Sequence, residues 1–163
     1  MRRVLHVLLL CVIGAISFYA VVHAASAQLT DEQFARFYAR YTGKWKANNV
    51  KSIYLKGATP QQPSRYEYVP IPGKRAMKYN NDVVHMLNGQ EFPLSSKQAG
   101  NTVAREVLDE YTVANTLRRD GRVTSRNTTV LSPDGKVVVL VFMDHDERGE
   151  WSVGRVVYYD REE

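Results

Sequence analysis

Cysteine is almost missing from this chain. Its 163 residues include one, Cys11, which rules out an intramolecular disulfide. A small fold built from this sequence must hold by packing and hydrogen bonds alone. Glycine-rich phosphate loops are absent, and no serine stands in a strand-to-helix nucleophile elbow. Histidine is scarce. His6 and His23 fall in the opening stretch, leaving His85 and His145 as the clear bases that titrate near neutral pH. No basic run with interleaved aromatics occurs, so nucleic acid is not an expected partner. These absences exclude phosphate-loop and elbow-serine chemistry, and no catalytic residue, cofactor or metal is expected.

Long apolar runs are also absent, with one exception. After Met1, Arg2 and Arg3 the chain is apolar from Val4 to about Val22, followed by small residues at Ala24, Ala25 and Ala27. A short basic head, an apolar run and a small-residue end describe a secretory signal peptide. Cleavage is expected after Ala27, with Ala24 as the other site. The run is nearly long enough to span a bilayer, so an uncleaved anchor is the competing reading. Removing 27 of 163 residues leaves 136, takes away Cys11 and two arginines, and lowers the net charge from +5 to +3. The expected product is periplasmic or secreted, with no stable membrane insertion after cleavage.

What is present begins with a helix. In "LTDEQFARFYARYTG", Thr30 and Gln33 have capping-box spacing, and Asp31 and Glu32 fit the first turn. Phe34, Phe37, Tyr38 and Tyr41 form one aromatic stripe at helical spacing. Gly43 is expected to stop this helix, which occupies the segment 28–42 and packs on the domain that follows. From 43 to 163 the period becomes two. "SRYEYVPI", "RAMKYN", "DVVHML", "QEFPL", "TVAREVL", "YTVANTLRR", "RVTSRNTTVL", "KVVVLVFM" and "EWSVGRVVYY" are punctuated by turn signals, of which Asp120-Gly121 and Ser132-Pro133-Asp134-Gly135 are the strongest. "KVVVLVFM" is apolar on both faces and is expected to be the most deeply covered strand. Closing such a sheet removes its edges, so an antiparallel barrel of about eight to nine strands is preferred to a sandwich.

Gly43-Lys44-Trp45 resembles the Gly-x-Trp signature of the lipocalin and calycin group. The wider text is similar to exported, lipocalin-like bacterial proteins of uncharacterised role. It carries Gly43, Trp45, Asn48, Lys51 and Ser52 near the start and Ser132-Pro133-Asp134-Gly135-Lys136 before the penultimate strand. The resemblance covers roughly residues 43–160. It implies that Trp45 closes one barrel end against a basic residue of the last strand, for which Arg155 is the candidate. It also implies a non-catalytic role in binding a small apolar or amphipathic ligand. The fatty-acid-binding branch often holds a carboxylate with an arginine and a tyrosine two residues apart on the last strand. Here Val157 stands two residues after Arg155, and Tyr159 four after.

A barrel of this size is either filled by side chains or holds one small ligand. The expected ligand-facing residues are Tyr66, Tyr68, Met77, Tyr79, Phe142 and Trp151, because tyrosine and tryptophan pair an apolar body with a polar tip. Trp45 and Arg155 would serve closure. The alternative is a filled barrel acting through its surface, with Arg36 and Arg40 on the helix as the place to look. An enzyme would need His85 or Glu106 to face an interior void. The oxygen-rich "DHDERG", Asp144 to Gly149, does not have calcium-loop spacing and reads as a polar turn. The sequon Asn127-Thr128-Thr129 reads as strand.

Overall fold

The computed structural model describes residues 29–55, 64–80, 83–94, 100–145 and 148–163, and Thr30 caps the one helix among them, α1 (Asp31–Tyr41). The capping box forms as spaced. The Gln33 amide donates to Thr30 Oγ1 at 3.2 Å, and the Thr30 amide donates to Gln33 Oε1 at 2.8 Å. Phe34, Phe37 and Tyr41 are buried, while the half-buried Tyr38 donates its hydroxyl to the Lys74 carbonyl at 2.9 Å. The aromatic stripe is therefore core. The expected signal segment, the loop 57–63 and residues 146–147 of the polar turn lie outside the described residues. No helix among the described residues is long and apolar enough to cross a membrane.

Eleven antiparallel strands follow: β1 (Gly43–Ala47), β2 (Ile53–Tyr54), β3 (Arg65–Pro70), β4 (Ala76–Tyr79), β5 (Val83–Met86), β6 (Asn88–Pro93), β7 (Asn101–Val107), β8 (Thr112–Arg119), β9 (Arg122–Leu131), β10 (Val137–His145) and β11 (Trp151–Arg161). They form one sheet in the order β5-β4-β3-β1-β11-β10-β9-β8-β7-β6, with β2 attached to β11. The end strands β5 and β6 share no ladder but are joined through buried Leu87, so the sheet curls into a nearly closed barrel. The expectation of eight to nine strands is too low. The uncounted strands are β1 and β2, with five and two residues, too short to show a period of their own.

Turn chemistry sets much of this register. Asp120 (φ 50°) and Gly121 (φ 77°) both have positive φ, as a two-residue hairpin turn requires. Ser132 Oγ donates to Asp134 Oδ1 at 2.6 Å and accepts from the Val137 amide at 2.9 Å, locking the β9–β10 turn. β10 is not the most deeply covered strand. Only Val138 and Phe142 of β10 are buried, because its other side is the barrel's outer surface, where Met143 is 39% exposed.

Gly43 does more than end the helix. The C-cap is Thr42 in extended conformation, and Gly43 follows with φ 132°, a backbone region favouring glycine. A Cβ there would lie 2.6 Å from Arg161 Nη1. Gly73 (φ 70°) also has positive φ but open space around it. Gly43→Ala is therefore expected to lower unfolding free energy by about 2 kcal/mol or more, and Gly73→Ala by about 1 kcal/mol. Denaturant midpoints of the two variants check this. Equal losses would remove the argument for a crowded Gly43.

Candidate functional site

Trp45 is wholly buried, and its indole N–H donates to the Tyr41 carbonyl at 3.2 Å. The guanidinium of Arg161, not Arg155, covers its ring at 4.3 Å. The β1–β11 register explains this correction, since it sets Trp45 directly opposite Arg161. Arg161 donates to Thr42 O at 2.7 Å, to Gly135 O at 2.6 Å and to Arg40 O. One side chain thus ties together the end of α1, the start of β1, the β9–β10 turn and the last strand. The other residues that carry the lipocalin-like resemblance meet here as well. Asn48 donates to Asp160 at 2.6 Å, Lys51 pairs with Asp160 at 3.4 Å, and Ser52 Oγ accepts from the Tyr158 amide at 3.0 Å.

Beyond this plug the barrel is hollow. Tyr41, which packs on Trp45 with ring centroids 6.2 Å apart, separates the plug from a cavity of about 530 Å³. One wall is aromatic, formed by Tyr66, Tyr68 and Tyr79 with His85 beside them. The ring of Tyr68 lies 5.3 Å from each of Tyr66 and Tyr79. The facing wall is a row running across five strands. Arg105 pairs with Asn115, Asn115 with Asn127, Asn127 with Phe142, and Phe142 with Arg155. All five side chains line the cavity.

That row is incompletely satisfied. Asn115 Nδ2 donates to Asn127 Oδ1 at 2.7 Å, but Asn115 Oδ1 is buried without a partner. The Nε atoms of Arg105 and Arg155 are likewise buried and unpartnered. Buried polar groups are almost always paired, so these atoms are exceptions in the row. Arg155 lies over the Phe142 ring at 4.1 Å and reaches Asp144 at 3.7 Å. Arg105 donates through Nη1 to the Tyr68 hydroxyl at 2.5 Å. A guanidinium only donates, so the Tyr68 oxygen accepts and its own proton is free for His85 Nδ1 at 3.2 Å. The ring proton of His85 then sits on Nε2.

Electrostatics follow from this enclosure. Burial, then the nearby Arg105 charge, push the His85 pKa down to about 2. Burial pushes the Tyr79 hydroxyl up to about 12 and raises Tyr68, with the Arg105 charge and hydrogen bond working the other way. His85 is neutral and the phenols are protonated at ordinary pH. The arrangement is a set of neutral hydrogen-bonding groups around guanidinium charge. Among the described residues no group of acidic, histidine or cysteine side chains could hold a metal ion.

Of the expected ligand-facing residues, Tyr66, Tyr68, Tyr79 and Phe142 line the cavity. Met77 is wholly buried but packs in the core outside the lining. Trp151 is on the outer face, against exposed Arg126, whose guanidinium lies 5.1 Å from the ring. The cause is a β-bulge. Phe142 pairs with Arg155 and Met143 with Val153, so Gly154 is an extra residue that switches the strand's facing. Trp151 and Arg155 therefore point to opposite sides. Arg155 lines the cavity rather than closing the barrel. Arg36 and Arg40 are both engaged by Glu110, at 3.2 and 3.5 Å. Asn127 is turned inward and 8% exposed, away from any glycosylating enzyme.

Sequence reasoning missed Arg105, Asn115 and Asn127. The signal was available. Arg105 shares its alternation phase with buried Val103 and Val107, and Asn115 shares its phase with Val113 and Leu117. A polar residue in the inward phase of a strand is the informative case. No family model matches the chain, and no curated protein matches it in sequence.

His85 provides a test of this enclosure. Its folded pKa lies below the unfolded value of 6.5, so between about pH 2 and 6.5 the unfolded chain binds a proton that the folded protein does not. Stability is therefore expected to fall as pH drops below 6.5, by up to about 1.4 kcal/mol per pH unit from this group. Urea unfolding from pH 4 to pH 8 checks it, and His85→Gln is expected to flatten the slope. Identical slopes in both proteins would show that His85 is not held neutral.

Proposed function

We propose that this protein is an exported, lipocalin-like carrier or sensor that binds one small amphipathic molecule inside the barrel, without chemistry. The observation that supports it most is the cavity beside the Trp45 plug. Its volume of about 530 Å³ falls within the usual range of small-molecule sites. The tyrosine wall supplies an apolar surface, and the row from Arg105 to Arg155 supplies a few placed polar atoms, the usual composition of such sites. Export is supported by the basic, apolar and small-residue pattern of residues 1–27.

A filled barrel working through its surface is the competing reading. It is less well supported, because the interior is hollow and the helix arginines are already engaged. A catalytic reading has His85 and Tyr68 at the cavity wall. Its Tyr68 stays protonated and its His85, with so low a pKa, is a weak base, which does not favour proton abstraction.

Native mass spectrometry of the protein purified gently from its own source tests the proposal. The expected result is a reproducible extra mass, released on denaturation, that is lost when Thr129→Trp fills the cavity. A bare mass, with no gain on offering decanoate, decanol or 2-naphthoate, would overturn it in favour of the filled barrel.

A further inference from the structure

Charge in the cavity is unbalanced. Among the described residues two guanidinium groups line it and no carboxylate does. Arg155 has a partial counter-ion in Asp144 at 3.7 Å. Arg105 has none among the described residues. Its one acceptor is the neutral Tyr68 hydroxyl, and its Nε–H is buried with nothing to receive it. Arg105 is half-buried overall, and a partly desolvated cation with an unpartnered, buried Nε–H favours an anion beside it.

The position of Arg105 says where that anion would sit. Arg105 projects from β7 in the same inward phase as Val103 and Val107, so its charge sits in an otherwise apolar stripe. Tyr68 holds the guanidinium from one side through Nη1, with the group's carbon 5.8 Å from the Tyr68 ring. The side that carries Nε–H remains unengaged. An arginine edge of parallel N–H groups matches the two oxygens of a carboxylate better than any neutral acceptor. The rings of Tyr66, Tyr68 and Tyr79 then lie beside the charge as a surface for an apolar body.

We propose that the occupant is a monocarboxylate amphiphile, its carboxylate on the Nε side of Arg105 and its apolar or aromatic body against the tyrosine wall. This rests on the binding role proposed above and adds the chemical class of the ligand. Arg105 is the anchor. Arg155, already facing Asp144, has the smaller part.

Matched probe pairs test it by calorimetry on the purified protein: 2-naphthoate against 2-naphthol, and decanoate against decanol. The acids are expected to bind at least tenfold more tightly than the alcohols. Arg105→Gln is expected to remove that preference, with the acids losing at least tenfold more affinity than the alcohols. Arg105→Lys is expected to keep part of it, because the charge stays and the fork is lost. Arg155→Gln is expected to cost less than Arg105→Gln. Equal affinity for acid and alcohol in the unaltered protein would overturn the anion assignment and leave a neutral-ligand barrel standing. A preference that survives Arg105→Gln would overturn Arg105 as the anchor. If neither acid nor alcohol binds, both this assignment and the binding role fall. Should Arg105→Gln not fold, the acid-to-alcohol ratio of the unaltered protein and of Arg105→Lys decides the matter.

Discussion

The contact of Arg161 with Trp45 is the joint on which the fold depends. A guanidinium 4.3 Å above a buried indole is a cation–π pair, and here the arginine is half-buried. Its N–H groups reach carbonyl oxygens of Arg40, Thr42 and Gly135. Those carbonyls belong to two places far apart in the chain: the junction of the helix with β1, and the β9–β10 turn. Without a disulfide, this is how the first and last strands of the barrel are held in register. Gly43 has no side chain because Arg161 occupies that space.

This joint also shapes the interior. The helix delivers Phe37 and Tyr41 onto Trp45, so the space at that end is used up by rings. Along β11 the inward positions run Arg161, Tyr159, Val157 and Arg155. At about 3.4 Å per residue, Arg155 lies about 20 Å from the plug. The cavity belongs to this second half. Residues that build the joint and residues that line the cavity are almost separate sets, with Tyr41 and Tyr159 at the boundary.

The same division explains what was legible in the sequence. Gly43, Trp45, Asn48, Ser52 and Ser132–Lys136 stand out because closure uses distinctive residue types at fixed spacing. They report the fold. The capping box and aromatic stripe of α1 were readable for similar local reasons, as was the Asp120-Gly121 hairpin. Trp151 was misplaced because an extra residue, Gly154, breaks the alternation on which facing is read. Arg161 was overlooked because register, a non-local property, decides which last-strand residue meets Trp45. The polar row is a product of pairing across five strands. Its members lie tens of residues apart, and only the oddity of Arg105 among valines hints at it.

A crystal structure of the protein with 2-naphthoate would test the central claim most directly, namely that a plugged barrel end leaves a ligand site in the other half. The account predicts the carboxylate at Arg105, the rings against Tyr66, Tyr68 and Tyr79, and Trp45 and Arg161 unmoved. Ligand density only on the outer surface, or in place of the Trp45 plug, would contradict it.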